Sequence, residues 1–124
     1  KQLIDAPLHR YELANGERRV RVSSEGKESK TQWNVAERFM HATLVYASPL
    51  SGRTHQIRVH GLSIGHPLVG DDKYGHETEY KGPKARRLCL HAMRLDIPGY
   101  APIEAPLPED MQSIVAQLRA QKKD

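Results

Sequence analysis

Arg53, His55, Gln56 and Arg58 place two guanidiniums, an imidazole and a carboxamide within six consecutive positions. Planar guanidinium forks suit phosphate or carboxylate, because each can hold the anion through two parallel hydrogen bonds. The same density also describes a salt-bridged seam between two elements, and residue type alone leaves both readings open. Further along, Lys81, Lys84, Arg86, Arg87 and Arg94 occur in residues 81–94 with no acid among them, a bias that suits a polyanionic partner. Five of the seven histidines, His55, His60, His66, His76 and His91, lie in the same region as the single cysteine, Cys89. Their spacing is not that of a zinc site, since there is neither a second cysteine nor a His-Glu-x-x-His pattern. Cys89 and His91 would share one face of a strand, but a lone cysteine is more often a buried, inert one. No metal is expected.

The elements that position these groups must come from 124 residues, enough for one domain with a modest core. A net charge of +4 and a pI near 9.3 make nucleic acid the natural partner. With 38% apolar and 27% charged residues, no apolar run approaches the roughly 18 residues of a membrane span, so a membrane protein is set aside. One cysteine cannot form an internal disulfide, and residues 1–8 carry no apolar signal core, so a reducing, cytoplasmic setting is expected.

Asn15-Gly16 and Glu25-Gly26 mark turns around one short strand over residues 19–23. Thr31, Trp33 and Val35 alternate with polar neighbours and pair with the β-prone run 42–47 as a hairpin through residues 38–41. Pro49 and Gly52 close that hairpin. Thr54 then serves as N-cap of a helix over 54–64, ended by Gly65 with Pro67 beyond, which sets His55, Arg58 and Leu62 along one face. Pro67, Gly70 and Gly75 around Asp71 and Asp72 predict an ordered loop, and Leu88 with Leu90 a strand whose basic edge faces RNA. Four prolines forbid regular structure over 98–108, and Met111, Ile114, Val115 and Leu118 predict a terminal amphipathic helix over 109–122. The expected class is α+β, a mostly antiparallel mixed sheet with flanking helices.

Order adds what composition does not. Gly52-Arg53-Thr54-His55-Gln56-Ile57-Arg58-Val59-His60, followed by Gly65-His66-Pro67-Leu68-Val69-Gly70-Asp71-Asp72-Lys73-Tyr74-Gly75, resembles the C-terminal signature of the RluA-type pseudouridine synthases. Ser48-Pro49-Leu50 leads into it as in that family, and Leu88-Cys89-Leu90-His91-Ala92 resembles its later core strand. Ile4-Asp5-Ala6-Pro7 and Gly16-Glu17-Arg18 are similar to the RluC subgroup, so the resemblance covers essentially the whole chain. It implies an enzyme that isomerises uridine to pseudouridine in large-subunit ribosomal RNA, with neither metal nor cofactor. The arginine matching Arg58 would form a salt bridge with the catalytic aspartate beside a flipped uridine. Arg53, His55 and Gln56 would build the pocket or contact the backbone, and Lys84, Arg86 and Arg87 would face RNA.

One part of the family pattern is missing. The nucleophile normally sits in a His-Arg-Leu-Asp motif before a Thr-Ser-Gly turn, with a base-stacking tyrosine further on, and neither motif occurs here. Arg94-Leu95-Asp96 imitates the first, yet Ile97-Pro98-Gly99 follows it, so Asp96 is read as a decoy and Asp71 and Asp72 as turn residues. Tyr46 and Tyr74 are assigned core or loop roles. The expectation is therefore the C-terminal portion of one catalytic domain, inactive alone, with Arg58 lacking its carboxylate and exposed edges favouring self-association. The alternative is a non-catalytic RNA-binding or assembly module derived from the same fold.

Overall fold

In the computed structural model, which describes residues 1–75, 80–96 and 98–121, two short strands precede the one expected near the N-terminus. Strand β1 (Gln2–Asp5) is followed by β2 (Leu8–Glu12) and β3 (Arg18–Val22), the last two forming a hairpin over the Asn15-Gly16 turn. The long strands β4 (Lys30–Arg38) and β5 (Thr43–Pro49) form the predicted hairpin, and β1 adds to β4 to make an antiparallel sheet of order β1-β4-β5. Only the 19–23 strand was legible in the N-terminal stretch, because Gln2–Asp5 and Leu8–Glu12 are too short and polar to show alternation.

Register decides which side chains face inward. Ile4 pairs with Thr31 and Trp33 with Ala47, so Ile4, Thr31 and Trp33 lie on one face and are buried there. A bulge between Val35 and Glu37 inserts Ala36 and shifts the far end of the hairpin. The β2–β3 hairpin contributes Leu8 and Val20, which cluster with Val59 of helix α1 (Gln56–Ser63), and Tyr74 packs against that cluster.

Helix α1 begins two residues later than the capping pattern predicted. His55 takes a left-handed conformation (φ 53°, ψ 25°) immediately before it, and Thr54 does not cap. No side chain caps the helix; instead the Gln56 carboxamide accepts the Arg53 N–H at 3.0 Å and ties down the turn that leads into it. The other end follows the sequence. Gly65 at φ +83° donates to Leu62 O and His66 N donates to Gly61 O, a Schellman closure that a left-handed glycine permits.

A buried polar chain fastens α1 to the sheet. Gln56 Nε2 donates to Lys30 O at 2.8 Å and Thr31 Oγ1 at 3.0 Å, and Gln56 Oε1 also accepts from Ser51 Oγ at 2.8 Å. His60, fully buried, has Nδ1 2.7 Å from Thr31 Oγ1 and Nε2 2.9 Å from Ala6 O. A carbonyl only accepts, so Nε2 carries the proton and Nδ1 accepts from the threonine hydroxyl. Every polar atom of this chain has a partner, which is the condition for burying it.

The rest of the chain is less regular than predicted. Leu88–Leu90 is not a strand; Cys89 N donates to Val69 O at 2.8 Å, so this stretch lies along the 66–75 loop as an irregular segment. The proline-rich region does hold one strand, β7 (Ile103–Glu104), which pairs with β6 (Arg94–Leu95), because the three residues between Pro102 and Pro106 leave room for a two-residue strand. Helix α2 (Glu109–Ala120) matches the predicted stripe; Leu118 is buried and Arg119 binds the Glu37 carboxylate with Nη2 at 2.8 Å. Lys122 of the predicted helix lies outside the described residues. Among the described residues all pairings are antiparallel, in three separate sheets of an α+β fold.

Thr31→Val preserves side-chain shape but removes the hydroxyl used by both Gln56 and His60. Two buried polar groups are then orphaned, and the expected loss is about 2–4 kcal/mol by urea denaturation; a loss below about 0.5 kcal/mol would show the chain to be energetically idle.

Candidate active site

Arg58 projects from the first half of α1 towards the 66–75 loop, where Asp71 waits for it. Nε donates to Asp71 Oδ2 at 2.9 Å and Nη2 to Oδ1 at 2.7 Å, a bidentate pair whose side chains are 13% and 0% exposed. The expectation that Arg58 lacks a carboxylate is thus corrected: a loop aspartate supplies one. Asp71 is also a turn residue, since Oδ1 accepts the N–H groups of Lys73 at 3.0 Å and Tyr74 at 3.1 Å. Burial pushes its carboxyl upward, but the Arg58 bonds and the two backbone donors outweigh this and hold it below the usual carboxylate value.

The loop geometry that delivers Asp71 depends on Gly70, at φ +82°. A Cβ there would also fall 2.1 Å from Arg87 O, so the backbone of the basic segment passes directly against it. Tyr74 fixes the far side. Its hydroxyl accepts the Val20 N–H at 3.0 Å and lies 2.8 Å from His55 Nδ1, while its ring sits 5.3 Å from the Arg58 guanidinium carbon. Aromatic face and cation attract at that distance, and His55 meets the ring edge-on at 5.5 Å. His55 is the one described non-glycine residue with positive φ, a conformation that costs on the order of 1 kcal/mol and turns its ring to Tyr74.

Protonation follows from these contacts. Burial, with Arg58 and Lys73 nearby, lowers the His55 imidazole below its ordinary value, and burial raises Tyr74. The phenol and the imidazole therefore meet as neutral groups, joined by one hydrogen bond between Tyr74 Oη and His55 Nδ1. Around them Glu17 binds Lys73 at 2.6 Å and Arg19 at 3.2 Å, and Arg19 Nη1 reaches Lys73 O at 3.4 Å, which ties the β2–β3 hairpin to the loop.

The structure brings some of the predicted site residues together and separates others. His55 and Arg58 converge on Tyr74 and Asp71. Gln56 is buried, with both ends of its carboxamide committed to the fold, and Arg53 is exposed, with Nε donating to Glu28 O at 3.2 Å. Lys84 and Arg86 are exposed, without a side-chain partner among the described residues. Arg87 is already paired, with Nε 2.6 Å and Nη2 3.0 Å from the Asp110 carboxylate at the start of α2. Arg94 is likewise held by Asp96 and Glu104. The basic stretch, free of acids in sequence, has acids folded onto it.

Asp96 is solvent-exposed and paired with Arg94, and Cys89 is half-buried, with burial pushing its thiol up. His91 Nε2 donates to Ala105 O at 3.0 Å. Among the described residues no three His, Cys, Asp or Glu side chains cluster as metal ligands, and His76 lies outside them. One open cavity of about 300 Å³ borders the loop at Pro67, Val69, Asp71, Tyr80 and Ala85, beside the Arg58 cluster but without Arg58. The core or loop role read for Tyr74 fits its packing against Leu8, Val20 and Val59, but its contacts with His55 and Arg58 and the pairing role of Asp71 were missed, because Arg58 lies 13 residues from Asp71 on another element.

Because His55 binds a proton less readily folded than its ordinary 6.5, the unfolded chain gains protons first as pH falls. Stability is thus full above that value and drains as pH drops through the lowered folded value; Asp71, held below 3.8, adds a further loss at lower pH. His55→Asn tolerates the left-handed backbone and cannot titrate. Its stability curve is expected to be flatter than the wild-type curve as pH falls below 6.5, and parallel curves would refute the assignment.

No family model matches the chain. It is 48% identical over 124 residues to the ribosomal large subunit pseudouridine synthase C of Yersinia pestis, covering 94% of this chain and 39% of that protein. The Haemophilus ducreyi protein of the same name is 46% identical over 128 residues (97% and 40%), and the Escherichia coli K12 one 45% over 126 (94% and 40%). Among solved structures, human RNA Pseudouridylate Synthase Domain Containing 4 superposes with a TM-score of 0.71 at 25% identity, covering 95% of this chain and 56% of that one. The chain spans about two-fifths of the length of these curated relatives. Alignment along nearly the whole chain, on a shared fold, therefore makes this chain similar to about two-fifths of the large-subunit ribosomal pseudouridine synthases.

Proposed function

We propose that these 124 residues are the C-terminal portion of one catalytic domain, in an enzyme that converts uridine to pseudouridine in large-subunit ribosomal RNA. The observation that carries this reading is Arg58, a guanidinium only 13% exposed whose Nη1 has no partner among the described residues. An ionised nucleophilic aspartate in a water-poor pocket needs such a cation, already oriented, beside it. That aspartate is carried upstream of Lys1, so the segment alone is inactive.

In the assembled site the aspartate displaces the base from C1′ of the flipped nucleotide, the base rotates, its C5 displaces the aspartate from C1′ and then gives up its proton to solvent, and Arg58 holds the carboxylate in line throughout. His55 and Tyr74 shape the wall behind Arg58, and Arg53, Lys84 and Arg86 supply exposed charge for the RNA backbone. No metal or organic cofactor enters the reaction, and a ribosomal RNA substrate places the enzyme in the cytoplasm. Leu3, 48% exposed, and Tyr46, 51% exposed, mark sheet surface that the upstream portion covers; without it the segment self-associates. A purely RNA-binding module is the weaker reading, because Arg87 and Arg94 are already neutralised by acids.

The test is tritium release from large-subunit rRNA carrying 5-tritiated uridine, using the full-length protein. Arg58→Ala should cut release by about 100-fold or more with RNA affinity nearly unchanged. Lost affinity with normal turnover per bound RNA would favour the binding module. Arg86→Ala should weaken RNA binding and reduce its salt dependence, whereas Arg87→Ala should mainly loosen α2.

A further inference from the structure

We infer that Asp71 is a positioning residue for the isomerisation, acting through Arg58 by gripping one edge of its guanidinium and presenting the other edge to the nucleophile. The inference rests on the proposed function and extends it to a residue that the chain's own turn geometry would otherwise explain.

A guanidinium offers a carboxylate two bidentate edges, the side edge Nε/Nη2 and the end edge Nη1/Nη2. Asp71 takes the side edge, through Nε at 2.9 Å and Nη2 at 2.7 Å. Nη1 and the second hydrogen of Nη2 have no partner among the described residues, so the end edge remains available. Arg58 can therefore hold two carboxylates at once without releasing either.

Three features show the grip to be built for orientation. The Asp71 side chain is 0% exposed and its Oδ1 is immobilised by the Lys73 and Tyr74 N–H groups, so the carboxylate cannot swing with the arginine. The Tyr74 ring lies 5.3 Å from the guanidinium carbon, and its hydroxyl is pinned by Val20 N–H and faces His55, which limits rotation about the arginine stem. Surface pairs in the same chain lack this support: Arg94 and Asp96 are 54% and 65% exposed, although their separation is 3.1 Å. A free arginine samples many rotamers, whereas this one is restricted before the nucleophile arrives, and orientation of that kind appears in kcat.

Asp71→Asn in the full-length protein separates positioning from turn building, because the asparagine carbonyl still accepts from Lys73 and Tyr74 N–H while the charge and the second acceptor are lost. Single-turnover tritium release from 5-tritiated uridine in large-subunit rRNA should fall roughly 10- to 100-fold in kcat. KM should stay within about threefold, with RNA binding reporting the folded fraction. In the Arg58→Lys background, whose ammonium lacks the planar pair of parallel N–H donors, the same substitution should cost much less. An unchanged kcat, a loss matched by the unfolded fraction, or an equal loss in the lysine background would overturn the inference. If Asp71→Asn does not fold, Asp71→Glu decides: reduced kcat at held KM supports the grip, and wild-type kcat overturns it. Wild-type protein that releases no tritium would sink the proposed function itself, whereas wild-type release with an indifferent Asp71 sinks this inference alone.

Discussion

A guanidinium taken almost out of water must meet fixed acceptors in its own plane, and the structure around Arg58 is arranged to meet that requirement. Removing one member of a buried ion pair costs about 3–5 kcal/mol, whereas an exposed pair contributes about 1 kcal/mol or less. The difference explains why the 66–75 loop is so closely determined although it contains no strand or helix. Gly70 turns the chain, the Asp71 carboxylate closes the next turn on itself, and Tyr74 is hung from the backbone of β3. Each of these places one carboxylate against one side of one arginine.

The helix that carries Arg58 is itself held by polar contacts more than by apolar area. Among the described residues only Ile4, Leu8, Val20, Trp33, Val59 and Leu118 are buried hydrophobics, a thin core for this length. The Gln56, Thr31 and His60 chain supplies what area does not: direction. Apolar contacts tolerate a slide of a helix along a sheet, but hydrogen bonds to Lys30 O, Thr31 Oγ1 and Ala6 O do not. A displaced helix would misaim Arg58, so Gln56 and His60 bear on Arg58 through the placement of its helix instead of by contact.

The basic segment shows how charge counts mislead without a fold. Residues 81–94 hold no acid, yet Asp110 closes on Arg87, and Asp96 and Glu104 on Arg94. Arg87 becomes a tether between the loop side of the molecule and α2, and a surface that looked uniformly cationic is reduced to a few free charges. Compensation of this sort leaves Lys84 and Arg86 exposed without a side-chain partner among the described residues, while it limits indiscriminate attraction to polyanions.

What the sequence determined by itself was local or carried by motif: the β4–β5 hairpin from its alternation, the end of α1 from Gly65, the stripe of α2, and Arg58 as the residue to watch. Those features depend on neighbours a few positions apart, where periodicity and glycine chemistry act. Strand β1 and the irregular 88–90 segment escaped it, since each is stabilised by partners elsewhere: β4 for β1, Val69 for Cys89. Asp71 was read as a turn residue, correctly but incompletely, because its second partner is supplied by packing the loop against α1. Only tertiary structure could decide that one carboxylate serves both purposes, for hydrogen-bond geometry across elements leaves no periodic trace in a chain.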